Sequence, residues 1–332
     1  MRWRFASSLA LGFTASAILL VGCTGRSRFG GLAGQTPERT AMPLAVSPTP
    51  SRAPTLTETG EILPSPTPTL QATPSPDAGL QAVLCAPPPV YSPGRHQLLA
   101  PILLYHHVGE EQLQSGDEST SRYDVTPADF KAQLEMLQEL GYHTVRVSQI
   151  ASALLGQGTL PQRPIVISFD DGWVDEFQTI FPLLQENGDV GTFYIPSTYP
   201  GAPGTVTWAE LKEMVSAGME IGSHSRTHGH LASMTQGQAW AEVRLSKVDL
   251  EKALGVTVDT FAYPYGEFSP DLGRMVSEAG YHAAVGLGPS PLQGLGNIFY
   301  LNRIEIQGSE SLAAFLKILP WRGEGTGLCP SR

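Results

Sequence analysis

From Pro101 onward, short apolar runs of strand character alternate with stretches whose apolar residues recur at helical spacing. Ile102-Leu103-Leu104-Tyr105 is strand-like, and Ile165 to Phe169 reads as an apolar strand. Thr192 to Ile195, Met219 to Gly222, Thr260 to Tyr263, Ala283 to Leu287 and Ile304 to Ile306 repeat that signal, and Thr144 to Val147 reads as extended. Between them, Thr126-Pro127 opens a helix that carries Phe130, Leu134 and Leu137 on one face and stops at Gly141. Val174 to Asn187, Thr207 to Ala217, Gln236 to Leu254, Pro270 to Ala279 and Leu312 to Leu319 are the further helices. Strand and helix alternate about seven times, the rhythm of parallel strands joined by helical crossovers, in an open doubly wound sheet or a closed barrel. The residues with chemical potential follow the ends of different strands. A barrel gathers those ends around one mouth, so the pattern favours the barrel.

Before Pro101 the pattern is different. Arg2 and Arg4 precede an apolar stretch from Leu9 to Val21, too short for an ordinary membrane span, and Leu20-Val21-Gly22-Cys23 resembles the cleavage box of a bacterial lipoprotein. The expectation is a signal peptide over 1–22 and a lipidated Cys23; an uncleaved or ordinary export signal is the alternative. From 23 to 84 the chain is rich in Pro, Thr, Ser, Gly and Ala, as in Ser47-Pro48-Thr49-Pro50, and lacks the apolar content for a core. This stretch is expected to be a disordered tether, leading to a folded domain over 85–332. With Cys23 lipidated, Cys85 and Cys329 remain at the two ends of that domain. In an oxidising compartment they read either as a disulfide joining its ends or as two unpaired thiols in loose termini.

Composition narrows the partners. The chain has 332 residues, 41% of them hydrophobic, which is enough for a sizeable core, and a net charge of -10. That acidity, without a basic cluster, argues against nucleic acid and against binding to an anionic membrane surface. Contact with the membrane is therefore expected through the lipid anchor alone, and a monomer acting on a neutral substrate outside the cytoplasm is the simplest reading.

The candidate chemistry lies in two clusters. Asp170 and Asp171 stand side by side at the end of the apolar run Ile165 to Phe169, where adjacent carboxylates are costly unless a cation or hydrogen-bond donors compensate. His224-Ser225-Arg226-Thr227-His228 follows some fifty residues on, and histidines four apart can converge on one ion. One aspartate with two histidines makes a three-ligand site that leaves a position open for water, as catalytic rather than structural sites do. The bland alternative for the aspartates is a turn followed by a capped helix. Ser223 and Ser225 leave room around the first histidine. His230 reads as surface, and Glu267 as a solvated loop charge.

Ser168-Phe169-Asp170-Asp171-Gly172, His224 to His228 with Leu231, and Phe261-Ala262-Tyr263-Pro264-Tyr265-Gly266 together resemble the first three motifs of the polysaccharide deacetylase family, over roughly Leu99 to Leu319. The resemblance implies an α/β fold, a distorted seven-stranded (β/α) barrel, and a hydrolase that removes N-acetyl groups from N-acetylglucosamine-containing polysaccharide. It implies that Asp171, His224 and His228 hold a divalent metal, commonly zinc, that Asp170 is the general base, and that the backbone N-H of Tyr265 meets the oxyanion. Leu103-Leu104-Tyr105-His106-His107 at the start of the domain resembles the permuted branch that includes poly-N-acetylglucosamine deacetylases. It makes His106 the candidate general acid, with His107 as the alternative. Two family features are missing. Ala262 stands where many members have arginine, and no later aspartate before a tryptophan is evident, so the groups that orient base and acid are unaccounted for. Arg303 is open to two readings, a charge beside Asp170 or a solvated residue flanking a strand.

Overall fold

The computed structural model describes residues 78–94, 96–109, 122–323 and 326–329. The expected signal segment, Cys23, nearly all of the tether and most of the loop between Gly109 and Tyr123 lie outside the described residues.

Seven strands build the core: β1 Ile102–Tyr105, β2 Pro164–Asp170, β3 Thr192–Ile195, β4 Glu220–Ser223, β5 Thr260–Ala262, β6 Ala283–Val285 and β7 Ile304–Glu305. They lie in the order β6-β5-β4-β3-β2-β1-β7 and every pairing is parallel. The sheet curls until its edges meet. Leu301 bridges to Val285, Gly286 N-H donates to the Leu301 carbonyl at 2.8 Å, and Gly288 N-H donates to the Arg303 carbonyl at 3.0 Å. The same segment then runs on as β7 against β1, with Ile304 opposite Leu103. One chain segment thus closes the ring.

The pleat divides the strands into an inner and an outer face. Ile102, Val166, Tyr194, Ala262, Val285 and Leu301 pack together inside, while Leu103, Ile165, Ile167, Phe169, Phe193 and Phe261 pack outward against the helices. Gly222 is inside opposite Tyr194, where a Cβ would lie 2.4 Å from the tyrosine ring. No side chain fits there.

The helices are α1 Ala78–Leu84, α2 Pro127–Glu139, α3 Val147–Leu154, α4 Phe181–Asn187, α5 Trp208–Ser216, α6 Gln236–Leu254, α7 Pro270–Glu278 and α8 Leu312–Ile318. Their starts follow the sequence: the side chains of Thr126, Thr207, Thr235 and Ser269 each accept a first-turn N-H. Helix α3 was not anticipated. Its Val147, Ile150, Ala151 and Leu154 face the inner core. Its first N-H groups reach Thr192 and Glu220, the opening residues of β3 and β4. It plugs the end of the barrel away from the strand exits.

A second difference concerns the start of the folded part. Residues 78–84, expected within the tether, form α1, which packs on α8, and Leu84 is 5% exposed. The partners that order it come from the far end of the chain: the Leu328 carbonyl accepts from Gln81, the Leu84 carbonyl accepts from Gly323 N-H, and Cys85 is bonded to Cys329 with Cα atoms 5.5 Å apart.

Candidate active site

All of the expected site residues among 85–332 except the two cysteines gather at the strand exits, around a cavity of about 600 Å³ lined by His106, Asp170, Asp171, His224, His228 and Tyr265 among others. Strand β2 is buried along its whole length and delivers Asp170 to the inner face at 4% exposure. The chain then turns sharply, with Asp171 at φ 87 and Gly172 at φ 73. A side chain at Gly172 would meet both that positive φ and Ile195 at 3.3 Å.

Strand β4 delivers His224, 2% exposed. Its Nδ1 is 2.9 Å from the Ala262 carbonyl, which can only accept, so Nδ1 carries the proton and Nε2 presents its lone pair to the cavity. The next turn is strained at two non-glycine residues, Ser225 at φ 63 and His228 at φ 57. Three bonds from α6 hold it: Glu242 accepts from the N-H groups of Arg226 and Thr227 at 2.9 and 2.8 Å, and from the Thr227 hydroxyl at 3.0 Å.

These turns bring three donor atoms together. Asp171 Oδ1 is 3.0 Å from His228 Nε2 and 3.5 Å from His224 Nε2, and the three ligand atoms lie within 4.8 Å of one another. Buried Oδ1 has no aligned hydrogen-bond partner among the described residues, whereas Oδ2 accepts from Trp173 Nε1 at 3.2 Å. Ligands about 2.0–2.2 Å from a tetrahedral ion stand roughly 3.3–3.6 Å apart, so this set fits a divalent metal. Burial alone would raise the Asp171 carboxyl. The imidazoles of His228 and His224 outweigh it and hold the group well below the usual carboxylate range.

Asp170 is left beside the ligands, its Oδ2 3.7 Å from His224 Nε2. Arg303, 2% exposed, grips it with both arms, Nη1 to Oδ1 at 2.6 Å and Nη2 to Oδ2 at 2.7 Å. The guanidinium is itself steadied by the Gly286 carbonyl at 3.1 Å and stands 5.4 Å over the Tyr194 ring. Burial opposes ionisation of Asp170, yet Arg303 and then His224 keep its carboxyl below the ordinary value. Of the two readings of Arg303, the structure takes the charge beside Asp170. With Ala262 in place of an arginine, the charge that pairs with Asp170 comes from Arg303, just before β7.

His106 lies one pleat beyond Leu104 on the inner face, and both line the cavity. Its Nδ1 is buried without a hydrogen-bond partner among the described residues. His107, also at the cavity, has its Nδ1 3.3 Å from Asp175 Oδ2 and its ring 5.1 Å from that of Trp173. Tyr265, at φ 60, stands at the rim of the cavity, 54% exposed. His230, expected at the surface, is exposed there, stacks on the Tyr265 ring at 3.9 Å and pairs with Glu267 at 2.9 Å. These two residues join the two rim turns, because the turns after β4 and β5 are adjacent in space. Sequence reasoning missed Trp173, Asp175 and Glu242. The first two carried a signal, since they follow the aspartates in the same turn; Glu242 carried none.

The family profile described as polysaccharide deacetylase matches residues 157–284. Over that stretch the chain is similar to the polysaccharide deacetylase family. The curated proteins it resembles include N-deacetylases, enzymes acting on carbon-nitrogen bonds. The match takes in both aspartates, both histidines and Tyr265, whereas His106 and Arg303 lie on either side of it. Relatives include YxkH of Bacillus subtilis, 26% identical over 216 residues, covering 65% of this chain and 74% of that protein. The poly-beta-1,6-N-acetyl-D-glucosamine N-deacetylase of Escherichia coli is 22% identical over 234 residues, covering 58% of this chain and 35% of that protein, so the deacetylase chain spans about a third of it. Among solved structures, the Streptococcus pyogenes deacetylase PplD in complex with acetate superimposes with a TM-score of 0.61 at 23% identity, over 66% of this chain and 97% of that one, a likeness of fold.

Proposed function

We propose that this deacetylase removes acetyl groups from N-acetylglucosamine residues of a cell-surface polysaccharide, with zinc at Asp171, His224 and His228, releasing acetate and a free amine. The observation that carries the reading is the convergence of those three ligand atoms beside a separate, ionised Asp170 in an open cavity. The ion, when bound, supplies Lewis-acid activation of water and of the amide carbonyl. Asp170, kept charged by Arg303, takes the proton as water attacks the carbonyl carbon. The oxyanion that develops leans on the Tyr265 N-H. His106 gives a proton to the departing nitrogen, without which an amine is a poor leaving group. The lipoprotein-like start of the chain supports a place outside the cytoplasm, held to the envelope through Cys23.

Acetate release from acetylated glucosamine oligomers, with acetylxylan alongside, tests this. Chelation is expected to abolish turnover, and zinc to restore it. Asp170→Asn is expected to bind zinc with native stoichiometry and to lose about 100-fold or more in kcat. Chelator-resistant release, or release from the ester alone, would end the proposal.

A further inference from the structure

We infer that Asp175 is the positioning residue for the general acid, filling the place of the orienting aspartate that the sequence lacks; the inference rests on the reading of His106 given under Proposed function. His106 follows β1 directly, and its imidazole makes no hydrogen bond through Nδ1 to any described residue. Its aim into the cavity therefore depends on the backbone that carries it. That backbone is pinned from two sides. On one, His107–Val108 pairs in parallel with Asp124–Val125, His107 opposite Asp124, and Gly109 N-H donates to the Val125 carbonyl at 3.1 Å. On the other, Asp175 Oδ2 accepts the fully buried Val108 N-H at 2.9 Å and lies 3.3 Å from His107 Nδ1.

Asp175 is only four residues beyond Asp171. The turn that bears the base and a metal ligand therefore also holds the turn that bears the acid. Trp173, from the same turn, packs its ring 5.1 Å from that of His107 at a tilt and donates to Asp171 Oδ2. These short-range contacts, together with the direct pairing of β1 on β2, set the distance between the proton-taking and proton-giving groups. General acids act only within hydrogen-bond reach of the leaving atom, and a displacement of about 1 Å costs on the order of 100-fold in rate.

The chemistry supplies a test that a merely structural residue would not pass. An amine must be protonated to leave, whereas p-nitrophenolate leaves without a proton. A residue acting through the acid is thus needed for the sugar amide far more than for p-nitrophenyl acetate. Asp175→Ala, His106→Ala and the double variant are assayed on both substrates in the zinc-loaded enzyme, with bound zinc measured in each. Asp175→Ala is expected to lower kcat on the amide about 10- to 100-fold with KM little changed, and to lower the amide-to-ester ratio at least about tenfold. His106→Ala shows the same split, and the double variant is no worse than His106→Ala alone, as expected for residues that act as a unit. Asp175→Asn, which keeps an acceptor for Val108 N-H, recovers most of the amide rate. Equal losses on the two substrates, losses that multiply with His106→Ala, or coupling to His107→Ala in its place would overturn the inference alone. A native enzyme that cleaves the ester and leaves the sugar amide intact defeats the functional reading, and this inference with it.

Discussion

The Asp170 carboxylate owes its charge to Arg303, which sits 133 residues further along the chain. Neither group is tolerable alone at this depth, since an unpaired buried ion costs several kcal/mol. Arg303→Met removes the cation and leaves burial as the main influence on Asp170, which raises its pKa. A base must be deprotonated to work, so the acid limb of the kcat/KM profile is expected to move to higher pH, and activity at a fixed acidic pH to fall. Urea unfolding is expected to show a loss of about 3–5 kcal/mol at neutral pH, smaller in acid where Asp170 takes up a proton. Arg303→Lys keeps a charge without the two-armed grip and is expected to fall between. An unmoved acid limb in Arg303→Met would contradict the pairing. The metal ligands were legible from residue types and spacing, because a four-residue interval within one turn is local geometry. The partner of Asp170 was not legible in this way. Arg303 stands just before β7, which reaches the Asp170 strand by way of β1, and nothing along the sequence marks that approach.

At the scale of elements, the exit of β2 concentrates the most unusual features. After Asp175 the chain forms a π-helical turn, Glu176–Ile180, before α4 begins, the kind of irregularity that recurs at functional sites. The turn places Glu176 fully inside, where Oε1 accepts Gly172 N-H at 2.8 Å and braces the left-handed turn after Asp171. Burial and then Asp175 push the Glu176 carboxyl well above its ordinary value. Its folded pKa exceeds the unfolded one, so the folded state binds more protons between the two values, and stability falls as pH rises through that window. Glu176→Gln lacks this slope. Its unfolding free energy relative to the native protein is therefore expected to improve as pH is raised from about 4.5, by at most about 1.4 kcal/mol per pH unit. A difference that stays constant with pH would show that the group is ionised in the folded protein. Elements with strong periodicity were read closely: β1, β3 and α6 have the bounds expected from sequence. Helix α3 was masked by the extended-looking Thr144 to Val147, although its apolar spacing was present. Helix α1 was hidden by the proline-rich composition before it.

For the molecule as a whole, the parallel ring leaves both ends of the described domain on its outer layer, where α1 meets α8 and Cys85 meets Cys329 across 244 residues of sequence. A parallel barrel has no hairpins to hold its first and last strands together. β7 contributes two residues and a short run of hydrogen bonds to the closure, yet Arg303 directly precedes it. Tying the ends restricts the unfolded chain, and for a loop of this length the entropic gain is on the order of 5 kcal/mol. Measured gains usually fall short of that figure. The double variant Cys85→Ser with Cys329→Ser is expected to lose roughly 2–5 kcal/mol of stability, a fall in Tm of about 5–15 °C for a domain of this size. Because neither cysteine lines the cavity, kcat at 25 °C is expected to stay native, while the half-life at elevated temperature shortens. Reduction of the native protein should reproduce both effects. A Tm that does not respond to reduction would mean that α1 and α8 hold the ends by packing alone. Loss of activity at 25 °C would mean that the strain reaches β7, and through it the grip of Arg303 on Asp170.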